Sequence, residues 1–164
     1  MSGGLMMSSS RPATALVETT GRCVGADVRE YAKASYPMTS TSVTLARRDV
    51  CSHLERWEWG TNETTYAARM IVTELVANAV KHARRRDHEL LLHLAVLVDG
   101  DLIVEVSDPV PDFPCFEESA GSLLDDESGR GLMLVRSYSS DLSWFPRPHI
   151  GKTVRALLPA PRTA

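Results

Sequence analysis

The segment Thr73-Glu74-Leu75-Val76-Ala77-Asn78-Ala79-Val80-Lys81-His82 carries two patterns at once. Ile71, Val72, Leu75, Val76, Ala79, Val80 and Ala83 recur at helical spacing and form a wide core-facing arc. Glu74, Asn78 and His82 stand four residues apart, which stacks them on one side of the same helix, beside that arc. A carboxylate and a carboxamide next to a buried stripe cost free energy unless they serve something. A hard cation such as Mg²⁺ takes oxygen ligands, and Asn78 supplies one without adding charge beside phosphate oxygens. A carboxylate one turn earlier, Glu74, can accept a proton from an attacking hydroxyl or water. The competing reading is an exposed helix face with ordinary polar residues.

Working outward, Thr61 or Asn62 caps this helix, which runs to about Ala83. Gly60 stops an earlier helix from Thr41 or Ser42 to about Trp59, with Val43, Ala46, Val50, Leu54 and Trp57 at helical spacing. Downstream, Leu90 to Val98 is almost continuously apolar, as a covered strand is, and Asp99-Gly100 signals a hairpin. The return strand, Leu102 to Ser107, reads as alternating and half core, and ends at Asp108 because Pro109 cannot donate to a ladder. An acidic, irregular stretch covers residues 112–128. Gly129-Arg130-Gly131 opens a helix of about two turns to Tyr138, and Leu142–Phe145 and Lys152–Leu158 read as strands. This order predicts a two-layer α/β (α+β) sandwich: a mixed, largely antiparallel sheet with helices on one face. Residues 1–35 show no sustained period and read as a poorly ordered extension with room for one short element. Residues 36–160 form the domain.

Composition narrows the function classes. The chain has 164 residues, 43% apolar and 24% charged, with a net charge of −3. A basic footprint for nucleic acid is missing apart from Arg84-Arg85-Arg86, which sits at a helix C-terminus where cations are favoured. Cys23, Cys51 and Cys115 are widely spaced and odd in number, against a disulfide framework or zinc site and in keeping with a reducing cytoplasm. Neither a membrane-spanning run nor a signal peptide is legible, so a cytoplasmic location is expected.

Three further positions stand out. Asp108 ends a half-core strand; a buried carboxylate there needs donors, such as an exocyclic base amine, and the alternative is a simple turn aspartate before proline. Gly129-Arg130-Gly131-Leu132 lets backbone approach a phosphate at a helix N-terminus, or is a plain loop-to-helix junction. Thr153 in Gly151-Lys152-Thr153 is placed to hydrogen-bond near a base, or is an ordinary β-branched strand residue.

In this order the four constellations resemble the N-box, G1, G2 and terminal threonine of the GHKL (Bergerat-fold) ATPases. Glu-Leu-Val-Ala-Asn-Ala-Val-Lys-His, Gly-Arg-Gly-Leu-Met-Leu-Val and Gly-Lys-Thr-Val are similar to the anti-sigma-factor serine kinase branch, over residues 40–159. The resemblance implies a Bergerat fold binding ATP and Mg²⁺, with Asn78 as the metal ligand and Glu74 as the general base. It implies that Asp108 reads the adenine amine with support from Thr153, that Gly129, Arg130, Gly131 and Leu132 lie along the phosphates, and that 112–128 forms a lid. His82 takes a position that faces the phosphates, or closes the helix. One departure is clear: both glycines of Asp-x-Gly-x-Gly are replaced, by Val110 and Asp112, and prolines fix the turn.

The resemblance therefore implies a kinase that phosphorylates a serine on an anti-anti-sigma (STAS-type) partner and binds a sigma factor, with homodimerisation expected. The altered G1 sets beside it a non-catalytic, ATP-dependent binding module. A sensor histidine kinase fragment ranks third, because His53-Leu54-Glu55-Arg56 lacks the proline-containing pattern of a phosphoacceptor helix.

Overall fold

The computed structural model describes residues 27–82, 87–111 and 127–161. Its elements run β1 (Val28–Pro37), α1 (Thr41–Arg56), α2 (Asn62–Lys81), β2 (Glu89–Leu97), β3 (Leu102–Asp108), α3 (Glu127–Tyr138), β4 (Asp141–Pro146) and β5 (Lys152–Leu158). The strands form one sheet in the order β1-β2-β3-β5-β4. Every pairing among these strands is antiparallel. This is the α/β sandwich with a largely antiparallel sheet that the order of elements predicts.

One side of the sheet receives the helices. Leu90, Leu92, Leu94 and Val96 of β2, Leu102, Val104 and Val106 of β3, and Val154, Ala156 and Leu158 of β5 alternate onto that side. There they join Ala46, Val50 and Leu54 of α1 and Ile71, Val72, Leu75, Val76 and Ala79 of α2 in a single core.

Three boundaries differ from expectation, each for a local reason. β1 begins at Val28, inside the stretch that shows no sustained period. It is an edge strand, paired along one side with β2 and with all but one residue half-buried or exposed, so it needs no continuous apolar run. The first helix stops at Arg56 rather than near Trp59. Glu58 takes φ 51°, and the bonds Glu58 N–H to Glu55 O and Trp59 N–H to Leu54 O close a Schellman motif before Gly60 is reached. At its start, Ser40 is the N-cap, while the Ser42 hydroxyl donates to Pro37 O at 2.6 Å instead of capping. The second helix is capped by Thr61, whose hydroxyl and backbone exchange bonds with Thr64 in a capping box.

β3 also departs from the alternation expected of it: all seven residues are buried. Its side away from the helices carries Ile103, Glu105 and Ser107, opposite Arg155 and Thr153 of β5 and His93 of β2. Charge is buried here. Arg155 Nε donates to Glu105 Oε1 at 2.6 Å and its guanidinium stacks 5.0 Å from the Phe145 ring. Neither ring nitrogen of His93 has a hydrogen-bond partner among the described residues; burial, with the nearby charges of Lys33 and Arg147, lowers its pKa from 6.5 to about 4.

Candidate functional site

Among the candidate residues the structure brings Glu74 of α2 against Gly131 of α3, while Asp108 and Thr153 lie on the paired ends of β3 and β5. Glu74 and Asn78 are both half-buried on α2, flanking the fully buried Leu75, Val76 and Ala79. His82 is the exposed C-cap residue of that helix, where its backbone N–H bonds Asn78 O at 3.1 Å. His82 thus stands at the end of α2.

α3 packs along α2, with the Tyr66 and Tyr138 rings edge to face at one place and Gly131 against Glu74 at another. A Cβ on Gly131 would run into the Glu74 carboxylate, so the missing side chain is what lets that carboxylate lie against the α3 backbone. Leu132 and Val135 anchor the same helix in the core, at 4% and 0% exposure. Arg130 is exposed. The sequence places Gly129-Arg130-Gly131 as the opening of the helix, but α3 begins at Glu127, so these residues lie within its first turns. Helix-start rules favour a glycine before a helix over one inside it, and packing on Glu74 decides otherwise. The acidic stretch read as a lid lies outside the described residues from 112 to 126, as do Asp112 and the Arg84–Arg86 cluster.

The Asp108 end of β3 differs more from expectation. Asp108 is 2% exposed, and it stands directly opposite Lys152 in the β3–β5 register. Lys152, itself 3% exposed, places Nζ 3.0 Å from both carboxylate oxygens of Asp108 and donates to Val110 O at 3.2 Å. The Val110 N–H closes the group by donating to Asp108 Oδ1 at 2.8 Å. Gly151, at φ +78°, packs so tightly on the Asp108 carbonyl and Pro109 that no Cβ fits there.

Thr153 is not beside Asp108. Successive side chains of a strand point to opposite faces. Lys152 shares the helix-facing side with Val154 and Ala156, and Thr153 takes the other. There the Thr153 hydroxyl meets that of Ser107 at 2.7 Å, fully buried. The Thr153 hydroxyl thus lies on the sheet face away from the Asp108 carboxylate, and Lys152 is the residue that faces it. The signal was available, because the apolar run Val154, Ala156, Leu158 fixes the parity of β5 and puts position 152 on the Asp108 side.

Tested against a bound nucleotide, the residues divide. Asn78 offers a carboxamide oxygen one turn from the Glu74 carboxylate, a donor type that would suit a magnesium-bound polyphosphate. The Asp108 carboxylate, in contrast, already accepts from the Lys152 ammonium at both oxygens and from the Val110 N–H, which takes three of its roughly four lone-pair sites inside a nearly closed surface.

The comparisons with known proteins follow this geometry. The chain resembles the crystal structure of the RsbU and RsbW domains of Rv1364c from Mycobacterium tuberculosis, with TM-score 0.63 and 16% identity, over 82% of this chain and 34% of that one. The chain thus spans about a third of that structure's length. It also resembles the SiaB-SiaC complex from Pseudomonas aeruginosa, with TM-score 0.60 and 13% identity, over 77% of this chain and 88% of that one. Both likenesses are of fold. No curated protein gives a significant sequence match. The sequence profile of the histidine kinase-like ATPase domain matches residues 36–157, which reach from the end of β1 to β5. Both the α2 and α3 motifs and the Asp108 strand end fall inside that span, and the chain belongs to the histidine kinase-like ATPase domain family.

Proposed function

We propose that the chain is an ATP-binding regulator of the anti-sigma-factor type, acting as a serine kinase on an anti-anti-sigma partner. The observation that carries the reading is the meeting of α2 and α3, where Glu74 lies against Gly131 and Asn78 follows one turn later on the same helix. Mg²⁺, when bound, supplies charge neutralisation at the phosphates. Asn78 would hold it. Glu74 would take the proton of the attacking serine hydroxyl, and the α3 backbone would position the phosphates. The family match supports the nucleotide, and the N-box and G2 segments support the anti-sigma branch. A likeness to one chain of a two-protein complex is in keeping with a protein partner.

A second reading, a non-catalytic module that uses nucleotide to shape a partner-binding surface, is favoured by one specific observation, the filled Asp108 carboxylate. One experiment separates the two. Calorimetric titration with Mg-ATP is expected to show binding that Asn78→Ala abolishes. Labelled phosphate is then followed from ATP to candidate anti-anti-sigma proteins. Transfer that disappears in Glu74→Ala establishes the kinase, binding without transfer leaves the module, and no binding at millimolar Mg-ATP rejects both.

A further inference from the structure

We propose that Lys152 is an internal stand-in for a base amine: it fills the Asp108 carboxylate, so this chain selects nucleoside triphosphates by their phosphate end and does not discriminate the substituent at C6 of a purine. The inference rests on the nucleotide-binding reading above and deepens it by naming the ligand class.

The geometry leaves little for a base to gain. A carboxylate recognises an exocyclic amine by accepting its N–H, and Lys152 already donates to Asp108 with Nζ 3.0 Å from both oxygens. An ammonium bonded to a carboxylate is charge-assisted and roughly twice as strong as a bond between neutral groups, so a neutral amine is a poor competitor for that position. Access is closed as well: the Asp108 and Lys152 side chains are 3% and 4% exposed. The turn is held in the same state. Val110, where the family pattern has glycine, donates its N–H to Asp108 and accepts from Lys152, making a closed ring of three residues. Gly151 then clamps the end of β3 to the start of β5. Lysine and valine thus act together, one occupying the reader and the other fixing the loop around it.

The test is made first on the unaltered full chain, by calorimetric titration with Mg-ATP and Mg-ITP, which differ in carrying an amine or a carbonyl at C6. A site that reads a hydrogen-bonding group rejects an analogue lacking it by large factors. The unaltered chain is expected to bind the two within about threefold of each other, and Lys152→Thr to favour ATP by about tenfold or more. Lys152→Gln, which keeps an N–H on Asp108, is expected to retain the narrow ratio, and circular dichroism confirms that each variant is folded. ATP binding by Lys152→Thr alone, with neither nucleotide binding the unaltered chain, overturns the proposal, because selection by the phosphate end requires the unaltered chain to bind. A preference of the unaltered chain for ATP above about tenfold overturns the proposal while leaving nucleotide binding intact. Absence of binding by every protein overturns the nucleotide-binding reading and this inference together.

Discussion

Replacing Asp108 by Asn is the obvious way to probe an adenine-reading carboxylate, and in this chain it also breaks a buried ion pair. Asp108 and Lys152 are almost entirely enclosed, with Nζ 3.0 Å from both carboxylate oxygens. Removing one member of such a pair leaves an uncompensated charge in the interior and costs ~3–5 kcal/mol, whereas replacing both charges by neutral groups is often close to neutral. Asp108→Asn keeps an oxygen for the Val110 N–H, removes the charge and turns the other acceptor into an NH₂ donor facing the Lys152 ammonium. It is expected to lower stability by ~3–5 kcal/mol, or about 10–20 °C in Tm for a domain of this size. Lys152→Met is expected to lose a comparable amount. The double variant Asp108→Asn/Lys152→Met should recover most of the loss, to within ~2 kcal/mol of the unaltered chain. Urea unfolding followed by tryptophan fluorescence measures all four corners of the cycle, given that the transition is two-state. If the two single losses simply add in the double variant, the pair is not coupled and the account of Asp108 as a filled site fails. The same numbers warn that loss of nucleotide binding in Asp108→Asn alone is not evidence of a base contact.

Gly131→Ala should separate function from stability: alanine gains ~1 kcal/mol of helix propensity, while its Cβ displaces the flexible Glu74 carboxylate. Stability within ~1 kcal/mol of the parent, with phosphate transfer or Mg-ATP affinity reduced about tenfold or more, is the expected pattern; unchanged nucleotide behaviour counts against the α2–α3 site. Gly151→Ala meets backbone rather than a movable side chain, at φ +78°, and is expected to cost more than ~2 kcal/mol in chemical denaturation. A mild effect there would show that the β3–β5 clamp yields easily. For His93, the folded pKa of about 4 lies below the ordinary 6.5, so the unfolded chain binds more protons between these values. Its contribution to stability is therefore complete above about pH 6.5 and falls by up to ~3 kcal/mol as pH drops to about 4. Burial raises the Glu105 pKa even against the pull of Arg155, which works in the opposite sense on the acid side. Comparing the pH dependence of unfolding in the parent and in His93→Gln isolates the histidine, and parallel curves between pH 4 and 6.5 would contradict this assignment.

The sequence by itself determined the elements whose signals are local. The 3.6-residue period of α2, the Thr61 start, the Asp99-Gly100 turn and the apolar run of β2 each follow from short-range sterics and patterning, and α2, β2 and β5 appear within a residue or two of expectation. The spacing that puts Glu74 and Asn78 on one helix face is of the same kind. Tertiary structure decided what depends on a neighbour. β1 is a strand because β2 offers it an edge, and no period in its own residues announces that. Gly129 and Gly131 lie within α3 rather than before it, where the second of them makes room for Glu74 from another helix. Glu105, Arg155 and His93 became buried polar groups because β3 is covered on both sides, which alternation along one strand cannot reveal. The exchange of Thr153 for Lys152 at Asp108 falls between the two cases. The parity of β5 was legible in Val154, Ala156 and Leu158, but the register that sets Lys152 against Asp108 belongs to a pairing between residues 44 positions apart, and such pairings exist only once the sheet has formed.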